Sequence, residues 1–180
     1  MRYVGGMREW IPVPGTVKAR LVDAAIHHFE TAGYDAVNVT ELASKASVTT
    51  GSLYHHFDSK LGLYLVVREE MERRVVDRMT GAAASVGTGR PAARAALLVA
   101  FDAAVHFGVC RILAEPVPVE RDDPVAATLR PLLPRRLATG AVLLAAAWRA
   151  ALLATADGTP TTTARASLDY LLSSDEVSPP

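Results

Sequence analysis

A short polar run near residue 50 carries the side chains best suited to non-covalent recognition. Its polar members are Thr49, Thr50, Tyr54, His55 and His56. Their hydroxyl and imidazole groups can hydrogen-bond to phosphate oxygens and to the edges of nucleic-acid bases. Gly51 lies among them, and the missing side chain permits a close backbone approach to a partner. The run therefore favours binding chemistry over catalysis.

Two short predicted helices position this run. Thr40 is expected to cap a helix of about two turns, and residues 47–48 form a tight turn after it. Thr49 can cap a second short helix that ends near Phe57. Leu53 lies one turn before Phe57, so both side chains point inward together. Two short helices joined by a tight turn are the sequence shape of a helix-turn-helix.

Longer helices flank this pair. Apolar residues at four-residue spacing predict a helix from Thr16 to Ala32, and Gly33 follows as a stop signal. A long helix is expected from about Lys60 to Thr80, with Leu61 and Leu65 inward, followed by a loop over 81–90.

Further helices are predicted over 91–107, 141–156 and 161–173, with an irregular stretch over 115–123 and a helix start at Asp123-Pro124. No segment has the pattern of a strand. The sequence predicts an all-α fold with an N-terminal three-helix helix-turn-helix domain and a C-terminal helical effector and dimerisation domain. The expected division is an extension over 1–15, the helix-turn-helix domain over 16–60 and the second domain over 61–180.

The amino-acid composition excludes several classes of protein for this chain. The chain has 180 residues, 50% of them hydrophobic, so it can bury a core and is not a disordered chain. Lysine and arginine total 19 against 19 acidic residues, so net charge predicts no bulk attraction to nucleic acid or membrane. The single cysteine, Cys110, excludes an internal disulfide. No apolar run has the length of a membrane span, and we expect a cytoplasmic protein.

Signals for enzyme or metal chemistry are weak. His106 and Cys110 are four residues apart and form half a metal site, but no second pair stands at suitable spacing. The adjacent histidines at 27–28 and 55–56 project about 100° apart on a helix and are poor chelating pairs. No nucleophile motif, phosphate-binding glycine loop or zinc-protease helix is present. We expect no enzyme, no metal and no cofactor.

The helix-turn-helix segment also resembles a known family. The stretches 38–43 (NVTELA), 46–48 (ASV) and 51–60 (GSLYHHFDSK) are similar to the N-terminal domain of TetR/AcrR transcriptional regulators. The preceding helix, with Phe29 and the Ala-Gly-Tyr at 32–34, is similar as well. The resemblance covers about a quarter of the chain and implies a DNA-binding regulator.

The resemblance implies a set of DNA-contacting residues. Phosphate contacts are implied for Thr40, Tyr54, His56 and Lys60. Positions near bases and backbone, at the entry of the recognition helix, are implied for Thr49, Thr50 and Gly51, and His55 would face the major groove. The recognition helix departs from a charge-driven binder because it lacks arginine and lysine. Partial protonation of its histidines would then contribute to DNA affinity.

The resemblance further implies a homodimer that reads a palindromic double-stranded operator. The helix over 141–156 is apolar almost all round and independently favours burial against a second copy, together with the last helix. A small-molecule effector, expected to be apolar or neutral, would release the protein from DNA. Candidate ligand contacts are Phe101, Val105, His106, Phe107, Leu144 and Trp148, although aromatic residues at helical spacing are also ordinary core residues.

Two alternatives stay open. The extension over 1–15 is either a mobile tail or an arm that brings Arg2 and Arg8 to DNA. The whole chain is either a ligand-responsive repressor or a small-molecule-binding or scaffolding protein of the same fold without operator binding. The neutral recognition helix favours the second function.

Overall fold

The computed structural model describes residues 14–173, and across this range the chain is helical and contains no strand. The α-helices are α1 (Val17–Ala36), α2 (Val39–Lys45), α3 (Thr50–Phe57), α4 (Lys60–Val86), α5 (Gly89–Phe107), α6 (Cys110–Ala114), α7 (Pro124–Leu129), α8 (Gly140–Ala156) and α9 (Thr161–Leu172). Two 3-10 turns, Arg130–Leu132 and Arg135–Leu137, lie between α7 and α8. The prediction of an all-α fold with an N-terminal helix-turn-helix is confirmed.

The first three helices pack around one apolar centre. Leu21 and Phe29 of α1, Leu42 of α2 and Leu53 of α3 are completely buried, and Phe57 is nearly so. Gly33 interrupts α1 with a left-handed conformation (φ 78°) that side-chain-bearing residues avoid. The inward positions of Leu53 and Phe57 and the break at Gly33 are therefore confirmed.

Three local predictions are wrong. The N-cap of α2 is Asn38, whose Oδ1 accepts from the Thr40 N–H at 2.8 Å, so Thr40 lies inside the first turn. The inward face of α4 is formed by Leu63, Tyr64 and Val67, because the helix is rotated so that Leu61 and Leu65 are only partly buried. The loop predicted over 81–90 is shorter, since α4 continues to Val86.

The long helix α4 carries charged groups into the interior. Arg68 and Glu72 are 2% and 3% exposed, and they form an ion pair at 3.0 Å. The Arg68 guanidinium also donates to the carbonyl oxygens of Ile112 at 2.5 Å and Leu113 at 3.1 Å. A buried arginine is tolerated when its donors are satisfied, so this contact fastens α4 to the C-terminal end of α6.

The C-terminal helices form a second layer behind α4. Helix α5 packs along α4 and contacts α8 and α9 on its other sides. Phe101 of α5 and Trp148 of α8 are 0% and 1% exposed. Across residues 14–173, no helix combines the length and apolarity needed to cross a membrane.

Candidate nucleic-acid interface

The turn between α2 and α3 is built by short-range hydrogen bonds. Ser47 takes up a left-handed conformation (φ 54°), and the Val48 N–H donates to the carbonyl of Ala43 at 3.0 Å. Thr49 is the N-cap of α3, and its Oγ1 accepts from the Ser52 N–H at 3.2 Å. A threonine in this position satisfies one of the free N–H groups at the helix start. The predicted cap at Thr49 is therefore confirmed.

The outer side of α3 is open to solvent. Tyr54 is 51% exposed. Thr49, Gly51, His55 and His56 are also exposed, and Thr50 is half-buried. Thr40 is exposed near the start of α2. The structure thus leaves all eight residues implied by the resemblance exposed or half-buried, while their apolar neighbours Leu53 and Phe57 form the core.

The protein fold leaves space for a side chain at the position of Gly51. A Cβ there would lie 3.6 Å from Thr49 Oγ1, an ordinary contact, and the backbone is helical. The fold of the described chain therefore does not require glycine at this position. A requirement for glycine would have to come from a partner that approaches the backbone closely.

We expect Gly51→Ala to keep stability unchanged or slightly raised, since alanine favours helix more than glycine does. The same change should weaken DNA binding about tenfold, the equivalent of about 1.4 kcal/mol. Thermal unfolding and fluorescence anisotropy would measure the two effects. Gly81→Ala is the matched control, because Gly81 is exposed in α4 with no atom near its Cβ position. Equal DNA affinity for both variants would contradict a close approach at Gly51.

Lys60, the eighth residue, has an internal role. Its ammonium donates to the carbonyl oxygens of Tyr34 at 2.9 Å, Val37 at 3.2 Å and Asp35 at 3.4 Å. It also lies 4.5 Å from the centre of the Tyr34 ring. Three carbonyls use all three donors of an ammonium group. The sequence pattern did not indicate this contact, which ties the start of α4 to the end of α1.

We expect Lys60→Met to lower the free energy of unfolding by about 1–3 kcal/mol, as the charge-assisted hydrogen bonds to three partly buried or exposed carbonyls are lost. The slope of DNA affinity against salt should stay unchanged, because no phosphate contact is removed. Denaturant unfolding and anisotropy at several salt concentrations measure both. Lys45→Met, at an exposed position at the end of α2, is the control. Unchanged stability with a shallower salt slope for Lys60→Met would show that the ammonium binds phosphate.

A second set of contacts, between α1 and α6, was missed by the sequence analysis. The Glu30 carboxylate accepts from the N–H groups of Arg111 at 3.0 Å and Ile112 at 3.1 Å. Burial raises the pKa of Glu30, although these N–H groups and the Arg111 charge act in the opposite direction. Glu115 accepts from the Tyr34 N–H at 3.2 Å. The hydrogen-bonded partners are about 81 positions apart in the sequence, so no local sequence pattern indicates these contacts.

The six candidate ligand contacts differ in burial. Phe101 and Trp148 are core residues, His106 is exposed, and the other three are half-buried. The Trp148 indole N–H, buried among the described residues, has no hydrogen-bond partner there. A groove of about 270 Å³ lies elsewhere, between α4, the segment 115–123 and α8, and charged residues such as Arg121 line it.

The described part of the chain lacks a cluster of metal-ligating side chains, and its cysteine thiol is buried. Within residues 14–173, no group of three histidine, cysteine or acidic side chains is placed to hold an ion. Cys110 is 5% exposed, and burial raises the pKa of its thiol to about 12. A thiol held protonated is a poor nucleophile and a poor ligand.

Known proteins with similar sequences are transcriptional regulators. HTH-type transcriptional activator FasR of Mycolicibacterium smegmatis is 34% identical over 106 residues, which is 58% of this chain and 48% of that protein. The negative transcriptional regulator IcaR of the biofilm operon icaADBC in Staphylococcus aureus is 38% identical over 48 residues, 27% of this chain and 26% of that protein. The chain thus spans about half or less of the length of these relatives.

Solved structures share the fold over most of the chain. A TetR-like transcriptional regulator from Rhodococcus sp. RHA1 superposes with a TM-score of 0.66 at 18% identity, covering 89% of this chain and 96% of that one. PfmR, a TetR family regulator from Thermus thermophilus, has a TM-score of 0.58 at 21% identity, covering 91% and 99%. The family model for bacterial regulatory proteins, tetR family, matches residues 21–67. Over residues 21–67 the chain is therefore similar to the tetR family of bacterial regulatory proteins, and over most of its length it shares the fold of solved TetR-like regulators.

Proposed function

We propose that the protein is a homodimeric transcriptional repressor that binds a palindromic DNA operator and is released by a small apolar ligand. The observation that carries the proposal is the solvent-exposed, polar and small-residue surface at the start of α3, within a helix-turn-helix of this family. Recognition helices of this motif contact base edges with their N-terminal residues. The proposed site of action is the cytoplasm, where the DNA is.

In this proposal the exposed residues divide by role. Thr50 and Gly51 approach the bases, and His55 faces the major groove. Phosphates are contacted by Thr40, Thr49, Tyr54 and His56. Hydroxyl groups and helix N-termini are common partners of phosphate oxygens, and such contacts hold the register while base contacts supply specificity. Because α3 lacks arginine and lysine, affinity depends on fit more than on charge.

The proposed dimer interface is the outer face of α8 and α9. Leu143 is 68% exposed and Val142 is 52% exposed on α8, and Tyr170 is 72% exposed on α9. Tyr170 lines a shallow groove along α9 together with Ala166 and Leu171. A large exposed apolar face on a protein of this size is typical of an interaction surface. Two copies joined by this face would form a four-helix bundle.

The proposed effector site remains between α5 and α8. The unpartnered Trp148 N–H supports it, because a buried donor without an acceptor is costly and a ligand oxygen would satisfy it. Occupancy can be read in a Trp10→Phe protein, where Trp148 is the remaining tryptophan. A neutral acylnaphthalene probe, whose carbonyl oxygen can accept from the Trp148 N–H, should quench its emission, and the absence of quenching at saturating probe would contradict this site.

The experiment that tests the main proposal compares two substitutions on α3. Full-length protein is used to select duplexes from a random library, and anisotropy then measures affinity for each base variant. Thr50→Ala should change the base preference, while Tyr54→Phe should weaken all duplexes equally. A uniform loss for Thr50→Ala would argue against a base-reading role. In vitro transcription from the selected site gives the sign of regulation, on which FasR and IcaR differ.

A second candidate function is a ligand-binding or scaffolding protein that has lost operator binding. The neutral surface of α3 favours it, since lysine and arginine supply most non-specific DNA affinity. Failure to enrich any duplex at low salt, with a folded dimer and an intact ligand response, would establish this second function.

A further inference from the structure

Helix α6 is capped by residues from other helices. Its own N-cap residue, Val109, has no side chain that can accept a hydrogen bond. The Glu30 carboxylate of α1 takes this role by accepting from the N–H groups of Arg111 and Ile112. At the other end, Arg68 of α4 donates to the last carbonyl oxygens of α6. Helix α6 is therefore held as a rigid spacer between α1 and α4.

Arg111 extends this contact to the C-terminal end of α8. One nitrogen of its guanidinium, Nε, donates to the carbonyl of Glu30 at 3.2 Å. Another, Nη2, donates to the carbonyl of Ala156 at 3.3 Å and to Asp157 Oδ1 at 2.5 Å. The guanidinium is 18% exposed, so solvent screens these contacts only in part. A single side chain thus joins α1 to the end of α8.

The C-terminal end of α6 leads back to the helix-turn-helix. Glu115, the residue after α6, ion-pairs with Arg111 at 3.5 Å and accepts from the Tyr34 N–H at 3.2 Å. Gly33 makes room for this carboxylate, because a Cβ there would come within 2.6 Å of Glu115 Oε1. The carbonyl of Tyr34 accepts in turn from Lys60, the first residue of α4 after α3.

We infer that Arg111 is a positioning residue: through it the C-terminal end of α8 sets the orientation of the helix-turn-helix, along the path Asp157, Arg111, Glu115, Tyr34. The path consists of two hydrogen bonds, Arg111 to Asp157 and Tyr34 to Glu115, joined by the Arg111–Glu115 ion pair, so a shift at the end of α8 must change at least one of these contacts. This inference rests on the proposed function, because it names the route by which events at α8 would reach α3. A purely local role for Arg111, as a surface ion pair that stabilises α8, is the competing account.

The experiment changes the end of the path at α8 and measures hydrogen exchange at the other end, in α1. Asp157→Asn alters an exposed residue at the end of α8, whose side chain is 56% exposed, and hydrogen exchange is measured at the Tyr34 amide of the full chain. Asp102→Asn is the matched control, because Asp102 is 49% exposed and its ion pair with Arg165 has no link to α1. Neither measurement includes DNA or requires a dimer.

The expected result is that Asp157→Asn speeds exchange at Tyr34 about twofold to thirtyfold, the range for coupling through hydrogen-bond networks. Asp102→Asn should leave that rate unchanged. In an Arg111→Ala background, Asp157→Asn should have no additional effect, because the path is already cut. If Arg111→Ala does not fold, Arg111→Lys replaces it, since lysine keeps the charge but cannot hold both helices.

Three results would overturn the inference. They are an unchanged Tyr34 rate in Asp157→Asn, an equal rise in Asp102→Asn, and a rise in Asp157→Asn that persists without Arg111. Because exchange is measured without DNA, a protein that binds no operator can still show the coupling. Conversely, operator binding without the coupling leaves the proposed function intact and removes only the role of Arg111.

Discussion

Replacement of Arg68 by methionine should lower the free energy of unfolding by about 3–5 kcal/mol, the usual cost of breaking a buried charged network. Arg68 is 2% exposed and donates to three carbonyl oxygens at or after the C-terminal end of α6. Methionine fills a similar volume but removes the donor to the Leu113 and Glu115 carbonyls and leaves the Ile112 carbonyl with the Tyr64 hydroxyl at 3.3 Å. Glu72 would keep only its contact with Arg121. Denaturant unfolding followed by circular dichroism measures the loss.

The control for this change is Arg73→Met on the same helix. Arg73 is 61% exposed; it pairs with the exposed Asp77 and with Glu70, which is 6% exposed and keeps its second partner Arg74 at 2.7 Å when Arg73 is removed. The ion pairs of an exposed arginine add little stability, so this variant should unfold at the same denaturant concentration as the wild-type protein. An Arg68→Met protein as stable as the Arg73→Met protein would show that α6 is not anchored through the Arg68 contacts.

Replacement of Leu143 by glutamate should convert the proposed dimer to monomers and weaken binding to the proposed operator by about 100-fold or more. Leu143 is 68% exposed, so the monomer fold does not depend on it. A carboxylate at the centre of an apolar interface would have to be buried without a partner. Two half-sites on one palindrome are bound tightly because the subunits are linked, and that advantage is lost in a monomer. Analytical ultracentrifugation and anisotropy measure the two effects.

Leu137→Glu is the matched control, since Leu137 is 51% exposed in the turn before α8 and lies outside the proposed face of α8 and α9. It should remain dimeric and bind DNA as the wild type does. A Leu143→Glu protein that is still a dimer at micromolar concentration would place the interface elsewhere.

The helix-turn-helix could be predicted because its signals are local. Thr49 caps α3 by a bond to a residue three positions on, and Leu53 and Phe57 are one helical turn apart. The cap of α2 was misplaced because Asn38 and Thr40 are both good capping residues, and the pattern alone does not rank them. Such errors move a boundary by one or two residues and leave the motif unchanged.

The buried face of α4 and the contacts that α6 makes with α1 and α4 could not be predicted in the same way. The inward face of α4 includes Arg68, Glu70 and Glu72, and a search for apolar spacing excludes all three. Their burial depends on partners such as Arg121, which is 49 positions from Glu72. Helix α6 has five residues and no cap of its own, so its stability comes from tertiary contacts. Contacts of this kind appear only once the chain is folded.

The N-terminal extension keeps both of its interpretations. Residues 1–13, with Arg2 and Arg8, lie outside the residues that the structure describes. The predicted domain division at residue 60 also stays a prediction. Lys60 bonds to the end of α1 while it begins the helix that leads into the C-terminal layer, so the two parts are joined at that residue.

Hydrogen exchange measures most directly whether α3 contacts DNA. The full chain is measured alone and with a duplex that the protein itself selects from a random library. We expect slower exchange in the duplex complex over residues 49–57, which begin with the cap of α3 and end at its last residue. A duplex that is bound tightly while residues 49–57 exchange at the rate of the free protein would show that DNA is held by another surface.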